Sequence, residues 1–258
     1  MDERILRDEN ERLDTVNYDI RIIQRKDGLT YGTDALLLAA YIKPDPCAKA
    51  LELGAGCGIV SFLLSERRKV KSVQCCEIQP VYADIIKRNI ALNNLADTVS
   101  VIECDVRNLS EHFPLHSFDI VLSNPPYMKR DSGKSNESEM KNIARHEVFG
   151  EINDFVRTAS DMLRFGGKFY CVYRPDRLED LLFSMRAHGL EPKSMTLVAK
   201  DAKSKPSMVL VMACAGGKCS LNITENLFIY KHADRTDEMS DTCKYIYDNG
   251  YFPADFGK

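Results

Sequence analysis

The sequence predicts an α/β fold: a Rossmann-like, seven-stranded, mainly parallel twisted sheet with helices on both faces, preceded by a small hairpin-and-helix extension. Three observations predict it. Apolar strand-like runs alternate with amphipathic helical runs from residue 48 to residue 188, the pattern of strands joined by crossover helices. A glycine loop, Gly54-Ala55-Gly56-Cys57-Gly58, joins the first of these strands to the first helix. Residues fit to hold a ligand cluster at the carboxyl ends of strands, where open α/β sheets bind theirs.

Taken in order, the start of the chain is charged through residue 16 and is expected to fray. Asp19–Arg25 reads as a strand, Asp27-Gly28 as a hairpin turn and Leu29-Thr30-Tyr31 as the return. Gly32 precedes an Ala/Leu-rich run that predicts a helix, with Thr33 or Asp34 as its N-cap. Lys43-Pro44-Asp45-Pro46 breaks the chain. Strands then follow at Ala48–Leu53, Ser72–Cys76, Val99–Cys104, Phe118–Ser123, Lys168–Tyr173, Lys193–Ala199 and Met208–Cys214. Helices fall at Ile59–Ser65, Val81–Asn93, Arg107–Phe113, Ile152–Arg164 and Arg177–His188, with Gly166-Gly167 as a break before the next strand. The tail carries one more strand-like run, Leu227–Tyr230, and a short helix. The expected division is an N-terminal extension over 1–46, a main domain over 47–219 and a C-terminal strand and tail over 220–258.

Composition sets bounds. At 258 residues the chain can bury a substantial core. Its net charge of −3 carries no global signature of nucleic-acid binding, so any RNA contact must come from local patches. Nine cysteines without CxxC spacing point to reduced, buried thiols rather than a metal site. A charged start and no apolar run of spanning length lead us to expect a cytoplasmic protein without membrane or metal.

The richest stretch is Asn124-Pro125-Pro126-Tyr127, directly after an apolar strand. Prolines end the strand sharply and offer no competing N–H. Such a turn suits methylation of an exocyclic amine on a planar group, whose delocalised lone pair is a poor nucleophile. Two acceptors facing its N–H bonds, the Asn124 oxygen and the Pro125 carbonyl, can draw the nitrogen toward a tetrahedral shape. The Tyr127 ring can stack on the flat substrate. The bland reading is a plain Pro-Pro turn.

A cofactor constellation stands beside it. Gly54, Gly56 and Gly58 permit close backbone approach, although their spacing is not that of the dinucleotide fingerprint. Glu77 follows the second strand, where a carboxylate can accept from ribose hydroxyls. Asp105 closes the third, where an acid can accept from an adenine amino group or simply cap a helix. Glu52 either positions the glycine loop or meets a methionine amine, and the helix start at Gly32, Thr33 and Asp34 can face a ligand carboxylate. This order of strand ends fits S-adenosylmethionine lying across them, its methyl directed at Asn124.

At these residues the chain resembles the class I S-adenosylmethionine-dependent methyltransferases. Tyr31–Ala39, Arg174-Pro175-Asp176-Arg177-Leu178, Met208–Val211 with Gly216-Gly217-Lys218, and Ile229-Tyr230 sharpen this to a resemblance to the bacterial tRNA1(Val) adenine-37 N6-methyltransferase family over roughly residues 15–235. The resemblance implies that Gly54, Gly56, Glu77 and Asp105 bind cofactor, with Gly32–Asp34 beside it. It implies that Asn124, Pro125 and Tyr127 hold the target amine, and that tRNA is the partner. The long 128–149 segment is expected to be a lid or RNA-contacting element, with Lys129, Arg130, Arg145 and His146 as contacts; Lys193, Lys200, Lys203 and Lys205 form a later basic cluster. The tetrapeptide suits a protein glutamine amide equally well, so a glutamine N5-methyltransferase stays open, as does a guanine N2- or DNA adenine methyltransferase. The short region ahead of the glycine loop speaks against the first. The lack of an obvious DNA-recognition domain speaks against the DNA enzyme.

Overall fold

The computed structural model describes residues 5–16, 20–28, 30–125, 150–233 and 235–257. The chain opens with an antiparallel pair, β1 (Glu11–Val16) and β2 (Ile20–Arg25). This corrects the expected hairpin: β2 pairs back to the charged segment before it, not forward to residues 30 and 31. The buried charge of β1 is satisfied by a tertiary partner, and Arg12 and Asp14 pair with each other at 2.9 Å. Glu11 is buried and takes the Arg88 guanidinium at 2.9 Å. Asp27 is real turn chemistry, but Arg25 closes on it with two bonds of 2.8 Å and on Asp8 with one of 3.0 Å.

After α1 (Thr33–Tyr41) come β3 (Asp45–Leu53), α2 (Ile59–Glu66), β4 (Val70–Glu77), α3 (Pro80–Leu92) and β5 (Val99–Glu103). A 3₁₀ turn over Val106–Glu111 leads to β6 (Phe118–Ser123). Then follow α4 (Ile152–Met162), β7 (Leu163–Tyr173), a 3₁₀ turn over Pro175–Arg177, α5 (Leu178–Ala187), β8 (Leu190–Ala199) and β9 (Pro206–Ala215). The tail adds β10 (Asn222–Ile223), β11 (Leu227–Phe228), the ribbon β12 (Tyr230–His232) and β13 (Arg235–Met239), and α6 (Asp241–Asn249).

The seven long strands stand in the order β8-β9-β7-β6-β3-β4-β5, and β10 and β11 each add a two-residue pairing to β8. All pairings are parallel except those of β9 with β7 and β8, so β9 alone runs against the rest. The chain lays down β3, β4 and β5 outward, then returns to place β6 on the other side of β3. That reversal leaves a crevice at the carboxyl ends of β3 and its neighbours.

Alternation along the strands divides the core into two layers. Ala50, Val73, Cys75, Ile120 and Leu122 face α1, α2 and α3. Leu51, Leu53, Val121, Phe169 and Cys171 face α4 and α5. In α4 the buried residues Ile152, Phe155, Val156, Ala159 and Met162 recur at helical spacing and form one apolar stripe. The glycine pair lies inside β7 rather than before it, and the register between β6 and β7 shifts between Phe118 and Ile120. Cys47 and Cys219 are exposed, against the expectation that the thiols are buried; Cys57, Cys75, Cys76, Cys104, Cys171 and Cys243 are buried.

Two buried polar devices fix the elements nearest the crevice. Asn89 accepts from the Ile23 amide at 2.7 Å and donates to the Ile23 carbonyl at 3.1 Å. One turn later Asn93 does the same for Arg21, at 2.9 and 2.7 Å, so α3 reads the edge of β2 as a neighbouring strand would. Lys69, fully buried, donates to the carbonyls of Ala39, Ala40 and Ile42 at 2.7, 3.1 and 2.9 Å. It thereby satisfies the open carboxyl end of α1. Among the described residues no helix is long and apolar enough to cross a membrane.

Candidate active site

Register places the site. Leu53 pairs with Ser123 on one side and Cys76 on the other, and Glu77 pairs with Glu103. Asn124, Gly54, Glu77 and Cys104-Asp105 therefore leave four adjacent strands at nearly one level. Three strand spacings separate the first from the last, about 14 Å.

The glycine loop is built for backbone approach. Gly54, Gly56 and Gly58 all have positive φ, at +70°, +56° and +85°. The amides of Gly54 and Ala55 both donate to the Cys76 carbonyl, at 2.9 and 3.0 Å, which ties the loop to the end of β4. A side chain on Gly56 would meet no protein atom within 4 Å. At Gly56 the loop therefore presents bare backbone to open space, the cradle that an extended ligand needs, while Gly54 and Gly58 pack against Phe155 and Phe62.

Glu77 is only 3 % exposed. Its carboxylate accepts from the Gly56 amide at 2.8 Å and the Gln79 amide at 2.9 Å, so it braces the loop and remains at the crevice. Burial pushes its pKa up to about 7, while those backbone amides pull the other way. Glu52 lies deeper: its carboxylate accepts from the amide and hydroxyl of Ser61 in the first turn of α2. Burial raises it to about 7 as well. Of the two roles the sequence offered Glu52, its bonds serve the first, joining β3 to the helix behind the loop. Asp105 caps the 3₁₀ turn through the Arg107 amide at 2.9 Å and is gripped by the Arg107 guanidinium. A cofactor amino group would share this carboxylate with Arg107.

Asn124 is held from across the crevice. Its Nδ2 donates to Asp34 Oδ2 at 2.8 Å, and the other Asp34 oxygen accepts from the Ala35 amide at 2.9 Å. A carboxylate can only accept, so this bond fixes which way the amide faces. The preceding Ser123 hydroxyl is tied to the Leu53 carbonyl at 2.9 Å. The N-cap of α1 is Gly32, with extended backbone and no side-chain cap, rather than Thr33 or Asp34. Asp34 divides its carboxylate between the first turn of the helix and the asparagine. Thr33 is met by the Tyr247 hydroxyl of α6 at 3.5 Å, which brings the tail to the site.

Beyond Asp34 opens a cleft of about 640 Å³, lined by Thr33, Asp34, the end of β7 with Pro175 and Asp176, and Pro206–Met208. Sequence reasoning noted Arg174–Leu178 and Met208–Val211 without bringing them together; the only signal was their resemblance to one family. Pro126, Tyr127, Lys129, Arg130, Arg145, His146 and the 128–149 segment as a whole lie outside the described residues.

A glycine cradle, two acids at the next strand ends and an oriented asparagine beside the cradle define a class, the Rossmann-like methyltransferases. The particular family follows from comparison: the model of the methyltransferase small domain matches residues 25–183, and the chain belongs to that family. It is similar to tRNA1(Val) (adenine(37)-N6)-methyltransferases. One from Porphyromonas gingivalis is 28% identical over 185 residues, covering 69% of this chain and 72% of the relative. Another, from Histophilus somni, is 25% identical over 240 residues, covering 89% and 93%. Among solved structures, an Agrobacterium tumefaciens protein described as a predicted O-methyltransferase superposes with a TM-score of 0.68 at 22% identity, covering 84% of this chain and 96% of the other. M. jannaschii TYW2, solved in complex with AdoMet, gives 0.54 at 16% identity, covering 80% and 86%.

Proposed function

We propose that this methyltransferase moves a methyl group from S-adenosylmethionine to N6 of adenosine 37 in a tRNA. The observation that carries the amine chemistry is Asn124, set level with Gly54 at the next strand end and oriented by Asp34. The names of the relatives support the adenosine and the tRNA. Bound S-adenosylmethionine supplies an electrophilic methyl on a sulfonium centre.

The chain's residues divide the remaining work. The Gly54–Gly58 backbone lets the cofactor lie close, with Gly32 and Thr33 beside it. The Glu77 carboxylate accepts from ribose hydroxyls, and Asp105 from an adenine amino group. Glu52 keeps the loop and α2 in register. Asn124 and the Pro125 carbonyl accept the two N–H bonds of the target amine, which returns its lone pair to nitrogen. The methylated amine is acidic enough to lose its proton without a dedicated base. Tyr127 stacks on the base, Pro126 stiffens the turn, and Lys129, Arg130, Arg145 and His146 meet the RNA; these assignments rest on sequence. In this reading 47–219 is the catalytic domain, 1–46 and 220–258 flank it, and the enzyme works in the cytoplasm.

The test is Asn124→Ala. Methyl transfer is expected to fall at least about 100-fold, as when a transition-state hydrogen-bond partner is lost, with S-adenosylmethionine affinity by calorimetry within a few-fold of wild type. Near-normal turnover in this variant would sink the mechanism.

A further inference from the structure

Of the residues that line the cleft beyond Asp34, only Thr33 and Asp34 have a part in the chemistry above. The cleft's roughly 640 Å³ is the size of a site for a nucleotide-sized ligand. At one end stands Asp34, which holds Asn124. One wall, Pro206–Met208, is the outgoing limb of the hairpin between β8 and β9.

That hairpin carries Lys200, Lys203 and Lys205, all exposed, and a single acid, Asp201. Asp201 is turned inward, 2 % exposed. Its carboxylate accepts from the Lys203 amide at 2.8 Å and the Ser204 hydroxyl at 2.9 Å, and its carbonyl accepts from the Ser204 amide at 3.2 Å. The Lys200 carbonyl accepts from the Tyr230 amide at 2.9 Å. The tip is thus a built turn whose one carboxylate is spent on its own backbone, leaving lysines outward. On the neighbouring strand, just past the Tyr173–Val209 pair, Arg174 forks onto Asp176 at 2.9 and 2.7 Å, so this acid of the lining is paired.

We propose that this cleft and the Lys200–Lys205 tip form a clamp for the single-stranded RNA next to the target nucleotide. A flanking nucleotide enters the cleft, and Lys200, Lys203 and Lys205 follow the phosphodiester backbone beside it. The clamp rests on the RNA-substrate reading above. A row of exposed cations on a built turn beside a nucleotide-sized cleft complements a polyanionic strand, and such contacts give affinity and orientation rather than sequence.

The experiment compares the full chain with its Lys200→Gln/Lys203→Gln/Lys205→Gln variant, using bulk tRNA over a series of KCl concentrations. Each lost phosphate contact lowers the slope of log K against log salt by roughly 0.7 on a single strand, so the triple variant is expected to lose about 2. The KM for tRNA is expected to rise about tenfold or more, with kcat at saturating tRNA, cofactor affinity and thermal midpoint unchanged. If the triple variant folds poorly, Lys203→Gln alone is expected to lose about 0.7 of slope. An unchanged slope and KM in variants of a wild type that does methylate tRNA would overturn the clamp and leave the function standing. A wild type that ignores tRNA and methylates protein would remove the function and the clamp together.

Discussion

Asp34→Ala removes the group that sets the direction of the Asn124 amide. The bond at risk runs from Nδ2 to a carboxylate oxygen at 2.8 Å. A hydrogen bond to a charged group contributes about 1.5–3 kcal/mol, and the half-buried setting of both residues places this one at the lower end. If that energy is realised in the transition state, kcat falls by roughly 10- to 30-fold. Asp34→Asn keeps an acceptor for Nδ2 without the charge, and is expected to restore most of the rate. The assay is single-turnover methyl transfer with cofactor affinity measured alongside. A positioning role predicts that kcat drops, that the S-adenosylmethionine Kd stays within about threefold, and that asparagine rescues. Full activity in Asp34→Ala would refute the reasoning. A loss confined to cofactor affinity would return Asp34 to the ligand-facing role expected of a helix start.

Two further outcomes follow from the buried charges. Glu77 has its pKa raised by burial to about 7, so between its ordinary 4.5 and 7 the folded apo-protein holds a proton that the unfolded chain releases. Its contribution to stability is complete below 4.5 and is lost as pH rises through 7, whereas its carboxylate form is the one that accepts from ribose. S-adenosylmethionine affinity is therefore expected to rise up to tenfold per pH unit between about 5.5 and 7 and then level, with Glu77→Gln weaker and flat. Calorimetry showing wild-type affinity constant across that range would remove the ribose role. Lys69→Met leaves three carbonyls at the end of α1 without their donor; about 2–4 kcal/mol of stability is expected to go, read as a lower urea midpoint with unchanged slope. A midpoint matching wild type would show that water takes the place of the ammonium.

What the sequence made legible was local. The strand ends of β3, β4, β5 and β6 carry their own punctuation, glycines, acids and prolines, so these strand ends and the glycine loop were legible in the sequence. Helix Ile59–Ser65 gained one residue and strand Ser72–Cys76 three, shifts that alternation and propensity do not resolve. The errors were non-local. β1 looks like a fraying charged segment because Glu11 is neutralised by Arg88, 77 residues away. The glycine pair of β7 reads as a break because a strand can bend through Gly166 at a φ of +78°. Asp34 reads as a cap because its true partner is 90 residues on.

The most direct measurement is methyl transfer from labelled S-adenosylmethionine to bulk tRNA from a strain lacking this protein, followed by nucleoside analysis. The account predicts label as N6-methyladenosine, at position 37 of one tRNA species. Label in protein glutamine, in N2-methylguanosine or in DNA, with none in tRNA adenosine, would contradict it.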